Sequence, residues 1–509
     1  TLSIRIGPDM TAKLLRNANK AYNTEINDIL LTALIAAVRD ITGENKLKVM
    51  MEGHGREDIL DGVDITRTIG WFTTVYPVFI DLGEEKEISQ NIKMVKETLR
   101  KIPNKGIGYG VLKYMTEELQ KIQTQAPLSF NYFGEMNNDM NRKVFSQSPF
   151  SPGESIGGKI ARHCAVEMNA ISLNGELTIY TTFNQDQYQT STIEQLNQSF
   201  KENLEKIVDH CVDKEGSDMT PSDYGDVSLG LEELERIKDK YSAFQIEKIY
   251  PLANMQKGML FHNAMDQTSG AYFQQIVIKL KGRVHPDILE ESFHEIVKRH
   301  EILRASFEYE ITAEPRQIIA RDRKTPFTSI DLTGENRTRQ HRFIETYLKE
   351  DQEKGFDLSS EALMRVCLIR MNDESYRLIW SHHHILLDGW CLGIVLSELF
   401  SLYGKIMKGE SRRLKEPKPY GDYIKWLEEQ DKEEAAAYWK DYLKGYESRS
   451  ELPAFNRGAT SEEYCGKEKV ISFSKELTTK ITRIAKTHHV TINTVLQGIW
   501  GMILAKYNN

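Results

Sequence analysis

Ser381-His382-His383-His384-Ile385-Leu386-Leu387-Asp388-Gly389-Trp390 joins two segments of different periodicity. Upstream, Tyr376 to His382 reads as a strand; downstream, Leu392 to Tyr403 carries apolar residues at helical spacing. The same alternation recurs elsewhere. Thr73-Thr74-Val75-Tyr76-Pro77-Val78-Phe79, Gly175 to Tyr180 and Gln274 to Lys281 read as strands, and Asp287 to Arg299 as a helix. This pattern predicts an α/β (α+β) class with mixed sheets flanked by helices. A strand-to-helix junction sets side chains at the mouth of a sheet, where an imidazole can act as general base, a role worth roughly 10²–10⁴-fold in rate. Two other readings stay open. His383, His384 and Asp388 could be metal ligands, although no third well-spaced His or Cys is evident nearby and no HExxH occurs. The histidine run could also be a solvated turn, with Asp388 merely shaping the loop.

The beginning of the chain is repeated at its end. Asp9 to Leu34 matches Glu476 to Trp500: Met10, Leu14 and Ala18 correspond to Leu477, Ile481 and Ala485, and Ile26-Asn27 to Ile492-Asn493. Each copy reads as two helices that break near Thr24 or Val490. The repeat predicts two homologous units in tandem, each sampled only in half. Between them, Lys214-Glu215-Gly216-Ser217-Asp218 and the acidic run from Leu231 read as a surface linker.

Length and composition agree with a multidomain globular protein: 509 residues, 40% hydrophobic and 28% charged. A formal net charge of -8 gives no footprint for nucleic acid. Five scattered cysteines without CxxC spacing indicate neither a disulfide framework nor a zinc ribbon, and fit a reducing cytoplasm. No run of about 20 uninterrupted apolar residues predicts a membrane span, and the start lacks a signal peptide's pattern. The absent initiator Met and the amphipathic helix at the end lead to the expectation that both ends are cut.

His383-His384-Ile385-Leu386-Leu387-Asp388-Gly389 resembles the signature of condensation domains in the chloramphenicol-acetyltransferase-like superfamily. Tyr250-Pro251-Leu252-Ala253-Asn254-Met255-Gln256-Lys257-Gly258-Met259-Leu260-Phe261-His262 and Arg299-His300-Glu301-Ile302-Leu303-Arg304-Ala305-Ser306-Phe307 support the resemblance in the family's order. It implies peptide-bond formation in a nonribosomal peptide synthetase, between substrates tethered as thioesters on the phosphopantetheine arms of partner carrier domains. No cofactor is then bound covalently in this chain, and no metal is needed. His384 would assist attack by the acceptor amine, with His383 beside it in the motif. Asp388 would be structural and paired with Arg304, and Gly389 would leave room near the reacting groups. The form Met255 to His262, with Trp390-Cys391, resembles condensation domains that follow an epimerase and take a D-configured donor.

Upstream, Glu52-Gly53-His54-Gly55-Arg56-Glu57, Arg67 to Pro77, Gly106-Ile107-Gly108-Tyr109-Gly110 and Phe130-Asn131-Tyr132-Phe133-Gly134 resemble epimerization-domain motifs in order. Without the family, Glu52 and Glu57 around His54 are either an acid/base cluster or a glycine-opened polar turn, and the glycines at 106–110 lack GxGxxG spacing. The resemblance makes Glu52 a proton-transfer residue at the α-carbon, with Asn131 and Tyr132 lining the site. It implies chloramphenicol-acetyltransferase-like half-units: residues 1–213 as the C-terminal lobe of an epimerization domain, 214–245 as linker, and 246–509 as the N-terminal lobe of a condensation domain truncated at the lobe junction. Such a chain would be a weakly active or inactive acyltransferase with a partial epimerase. Its partners would be the upstream and downstream peptidyl carrier domains, flanking adenylation domains and the missing lobes. Ser155-Ile156-Gly157-Gly158-Lys159 does not carry the carrier-domain pattern. Alternatives are an acyl-CoA-dependent acyltransferase of the same superfamily and a noncatalytic docking segment for carrier proteins.

Overall fold

Val166–Leu173 alternates buried and half-buried residues along its whole length, as a strand does when helices cover one face. It is the fifth strand of the first half of a computed structural model that describes residues 1–60, 62–84, 87–122, 125–136, 164–266, 270–447, 452 and 469–508. That half runs β1 (Leu2–Ile6), α1 (Pro8–Arg16), α2 (Ile26–Thr42), β2 (Lys46–Gly53), β3 (Thr74–Asp81), α3 (Ile88–Arg100), α4 (Tyr109–Tyr114), β4 (Leu128–Met136), β5 (Val166–Leu173), β6 (Glu176–Phe183) and α5 (Thr190–Asp213). The strands form one mixed sheet in the order β1-β6-β5-β4-β2-β3, parallel at β2–β4 and β4–β5. Leu30, Leu31 and Leu34 of α2 and Phe200 and Leu204 of α5 are fully buried in one core with Phe130 and Met168. Ser155 to Lys159 lies outside the described residues.

The second half continues with α6 (Leu231–Lys240), β7 (Ile246–Pro251), α7 (Asn254–Met265), β8 (Phe273–Lys281), α8 (Pro286–Arg299), β9 (Ala305–Glu308), β10 (Arg316–Ala320), β11 (Phe327–Asp331), α9 (Arg337–Lys354), β12 (Met364–Asn372), β13 (Ser375–His383), α10 (Gly389–Met407) and α11 (Tyr420–Glu428). Two sheets result, β7-β10-β9 and β11-β12-β13-β8. The second is covered on both faces. Trp380 of β13 is fully buried in a cluster with Phe293 of α8 and Leu399 of α10, while its neighbour Ile379 packs with Tyr347 and Leu348 of α9. The α/β (α+β) class expected from the sequence is therefore the class observed.

Thr1–Glu428 is one compact unit and Glu429–Asn509 another. The second contains α12 (Lys432–Tyr442), α13 (Lys475–Thr487) and α14 (Ile492–Asn508). The repeated segments are helix pairs in both copies, α1–α2 and α13–α14, but their environments differ. Ile29 and Leu30 of α2 are 1% and 0% exposed, whereas Leu496 of α14, the counterpart of Leu30, is 38% exposed. Helix α10 is long and apolar enough, by length and composition, to cross a membrane. Glu398 interrupts it, and its Val395, Leu399 and Leu402 are buried on the sheet.

The stretch read as an open surface linker is folded and docked. Pro221, Tyr224, Leu229, Leu234 and Ile237 are buried, and most of them share a small core with Ile249 of β7 and Ile318 of β10. Several of its charged residues face α3. Lys96, 1% exposed at the side chain, donates to Asp223 Oδ2 at 2.6 Å and to the Tyr22 carbonyl at 2.8 Å. Lys93 pairs with Asp218 at 2.7 Å, and Ser222 Oγ donates to Glu97 at 2.7 Å. Burial pushes the Asp223 carboxyl up, but hydrogen bonds from Lys96, the Thr220 amide and Asn23 outweigh it and hold the pKa below its ordinary value. Composition alone reports many charges and predicts solvation; it does not report that the charges are mutually paired. Removing one member of a buried pair strands the other, at about 3–5 kcal/mol. Lys96→Met is therefore expected to lower the urea-unfolding free energy of the first unit by about 3 kcal/mol or more; a loss below about 1 kcal/mol, the range of exposed pairs, would contradict the buried-pair assignment.

Candidate functional site

Strand β13 lies between β12 and β8, with His382 opposite both Met364 and Gln274 and His383 opposite Phe273. Both histidines are nearly sealed, 4% and 3% exposed. Burial first, and the neighbouring histidines second, lower each pKa to about 4. His384 is the first residue beyond the strand and is only half-buried. Its amide donates to the Tyr272 carbonyl at 2.8 Å, and its Nδ1 lies 2.7 Å from the Leu387 carbonyl. A carbonyl only accepts, so Nδ1 carries the proton and Nε2 presents its lone pair. The loop thus fixes the imidazole through Nδ1, so that a proton taken up by the ring is taken up at Nε2.

Neighbouring motifs support this loop. Gln256 of α7, 5% exposed, donates to the Ile385 carbonyl at 3.1 Å and accepts from the Ala253 amide at 3.0 Å. Arg299 and His300 both reach Glu398 of α10, at 3.1 and 2.8 Å. Tyr272 holds φ of +65°, uncommon for a bulky residue, in the turn that supplies the carbonyl to His384. Gln256 and Tyr272 escaped the sequence reading. Gln256 lay inside a quoted motif with nothing to mark it from its neighbours, and a positive φ leaves no trace at a tyrosine.

Asp388 and Arg304, expected to pair with each other, do not. Asp388 caps α10, accepting from the Trp390 and Cys391 amides at 2.9 Å each. The bond from the Cys391 amide is the first cause of its lowered pKa. Arg304 is buried and donates to Glu247 and to the Ala320 carbonyl, each at 2.5 Å. A helix N-terminus has free amides that a carboxylate satisfies locally, so the cap takes Asp388 first. At Gly389 an added Cβ meets nothing within 4 Å. Among the described residues, no three His, Cys, Asp or Glu side chains gather as a metal site.

A cavity of about 600 Å³ lies in the first half and is lined by Glu52, His54, Glu57, Tyr76, Asn131 and Tyr132. Glu52 is the penultimate residue of β2, and Asn131 of the adjacent β4 donates to its Oε2 at 2.7 Å. Partial burial, then the charge of Glu167, raises the Glu52 pKa. Burial, then Glu135, raises that of Tyr132. The Arg56 amide donates to His54 Nδ1 at 3.0 Å, which leaves the proton on Nε2 facing Glu57 at 3.3 Å. Gly106 explains its glycine-rich stretch: at φ +78° a Cβ would stand 2.2 Å from the Tyr76 ring. Its role here is close approach, with Asn104 and Lys105 also at positive φ along the cavity wall. Glu52 lies in one sheet, and His384 follows a strand of another.

Residues 1–229 and 246–509 each match the condensation domain family. The chain belongs to that family. It is 97% identical to bacitracin synthase 1 of Bacillus licheniformis over 509 residues, all of this chain and 10% of that protein. It is 61% identical over 508 residues to bacitracin synthase 3 of the same organism, across 8% of that protein. The chain thus spans about a tenth of the length of these curated relatives. Among solved structures it is similar to the epimerization domain from the third module of tyrocidine synthetase B, with 38% identity, 42% of this chain and 48% of that chain covered, and a TM-score of 0.40.

The neutral pair at the condensation motif makes stability pH-dependent in a defined direction. His382 and His383 titrate near 4 when folded and near the model-peptide value of 6.5 when unfolded. The unfolded chain therefore binds more protons between these values, so the contribution to stability is complete above about 6.5 and is lost as pH falls toward 4. His382 Nδ1 has no hydrogen-bond partner, so His382→Asn removes the titration while sacrificing no bond at that atom. The variant is expected to take up about one proton fewer on unfolding between pH 6.5 and 4, read as the slope of unfolding free energy against pH; an unchanged slope would show that His382 is not held neutral.

Proposed function

We propose that the chain is part of a nonribosomal peptide synthetase and serves peptide-bond formation between a D-configured donor thioester and an aminoacyl acceptor on carrier proteins, downstream of Cα epimerization. Residues 1–213 are read as the C-terminal lobe of an epimerization domain, 214–245 as the connection, and 246–509 as the N-terminal lobe of a condensation domain. The observation that carries the reading is the tautomer at His384, fixed by the Leu387 carbonyl so that Nε2 is the free base. The acceptor amine nitrogen attacks the thioester carbonyl carbon and forms the C–N bond. His384 Nε2 takes the N–H proton, the C–S bond breaks, and the proton passes to the departing thiolate. Holding both thioesters in place provides the proximity that such a reaction needs beyond proton transfer.

Asp388, Gly389 and Arg304 serve this reaction through structure: the cap, the open space and the buried base of a loop. His383 packs behind His384. In the upstream half Glu52, held by Asn131 and with its pKa raised, suits a group that keeps or yields a proton at a substrate α-carbon, with Tyr132 beside it. Phosphopantetheine belongs to the partner carriers in this reading, and adenylation domains supply the substrates. The D-donor assignment rests on Met255 to His262 and on the epimerization-like motifs upstream.

Two experiments test it. In the chain extended through both lobes and both carrier domains, dipeptide formation is expected from the D-aminoacyl donor and not the L, with His384→Ala slowing it by roughly 10²–10⁴-fold. Equal use of both donors would remove the stereochemical part, and product surviving His384→Ala would remove the role of that residue. In the 509-residue chain alone, Cα–H exchange of a carrier-bound aminoacyl thioester in D₂O is expected to stay at the uncatalysed rate. Glu52-dependent exchange would contradict the assignment of residues 1–213 to half an epimerization domain.

A further inference from the structure

A cavity of about 480 Å³ lies between the outer face of α8 and the loop that joins β10 to β11. Five cations line it, Lys298, Arg304, Arg321, Arg323 and Lys324, against the carboxylates of Glu290 and Asp322. Glu247 holds Arg304 as well, so the cations exceed the carboxylates by two. The five are not equivalent. Arg304 forms the buried base, and its Nη1 bonds to the Ala320 and Arg321 carbonyls, at 2.5 and 3.3 Å, fix the backbone of the loop. Arg323 is partly buried and is held by Ser306 Oγ at 2.5 Å, the Ser360 carbonyl at 3.2 Å and the Phe244 ring at 4.7 Å. No carboxylate bonds to it, and burial lowers its pKa. Lys298, Arg321 and Lys324 stand exposed at the rim, and none pairs with a carboxylate among the described residues.

Partial burial of a guanidinium against neutral oxygens alone is costly, and so is the gathering of further cations beside it. An anion with several oxygens offsets both. Arginine forks and lysines together match a phosphate group better than a single carboxylate, which one guanidinium satisfies. Position adds a second argument. Phe327, at the cavity wall, pairs with Val366, which pairs with Trp380, while Met364 pairs with His382. The cavity is therefore at the end of the sheet from which His384 emerges, two strands away, or roughly 10 Å across the sheet.

We propose that this cavity binds a phosphate ester. The site does not depend on the peptide-bond reading; only the bearer of the phosphate does, either a phosphopantetheine arm or free phosphate. Calorimetric titration of the chain at low ionic strength with inorganic phosphate, pantetheine 4′-phosphate and pantetheine tests it without any turnover. The two phosphates are expected to bind saturably and pantetheine not to bind. Arg321→Glu/Lys324→Glu should weaken binding about tenfold or more, and Lys349→Glu on α9 should not. Lys298→Ala/Lys324→Ala, at two exposed positions, repeats the test without reversing charge. Tighter binding of pantetheine 4′-phosphate than of phosphate supports the site and assigns the arm; equal binding supports the site for phosphate itself. Absence of saturable binding, or unchanged affinity in both double variants, overturns the proposal.

Discussion

Strand β13 can neither slide nor tilt, because it is paired along its length on both edges and covered on both faces. A shift by one residue would turn Trp380 out of the cluster with Phe293 and Leu399 and drive Ile379 into it from the opposite side. The register is therefore set by burial, and the position of the histidines follows. Along a strand, side chains alternate between faces, so His382 and His383 both end in covered layers and become neutral packing groups. Only the residue at which the chain leaves the sheet can present an imidazole to solvent. His384 is that residue, and its place as second of the motif pair is a consequence of where pairing with Phe273 stops.

The loop beyond it is fixed by four contacts to backbone groups that use side-chain chemistry sparingly. Tyr272 and Leu387 contribute carbonyls to His384, Gln256 ties the Ile385 carbonyl to α7, and Asp388 closes the N-terminus of α10. The capping carboxylate is exposed, while the tautomer of the imidazole depends on a neutral carbonyl. That separates the two functions. A carboxylate on Nδ1 would also stabilise the charged imidazole, whereas the Leu387 carbonyl orients the ring through a neutral acceptor.

Strands and helices were legible because their signals are local: alternation at Tyr376 to His382, helical spacing at Asp287 to Arg299, and the paired helices of both repeats. The motif at His383 to Gly389 was legible for the same reason. The Arg304–Asp388 pairing implied by the family resemblance is not formed, because each residue found another partner, Glu247 and the amides of α10. The stretch at 214–245 is docked rather than solvated for a related reason. Lys96 and Asp223 are both ordinary surface residues by composition, and only the fold sets them 2.6 Å apart with neither open to solvent. Asn131 and Glu52 stand between these cases. Each was singled out from its own motif, but the 2.7 Å contact that joins them arises from the parallel pairing of β2 with β4, which neither strand's sequence specifies.

The internal repeat carries the physical argument one step further. Two helix pairs share the same apolar pattern, yet in α2 the residues of that pattern are sealed against a six-stranded sheet, and in α14 Leu496, Ile499 and Ile503 remain 38%, 45% and 39% exposed. Full burial of each such side chain is worth about 1.5–3 kcal/mol, so the difference across one helix face amounts to several kcal/mol. Intrinsic helix propensity does not require that face, since a solvated helix forms equally well with polar residues there. The apolar stripe of α13–α14 is therefore not accounted for by helix formation alone, whereas that of α2 is accounted for by its burial on the sheet.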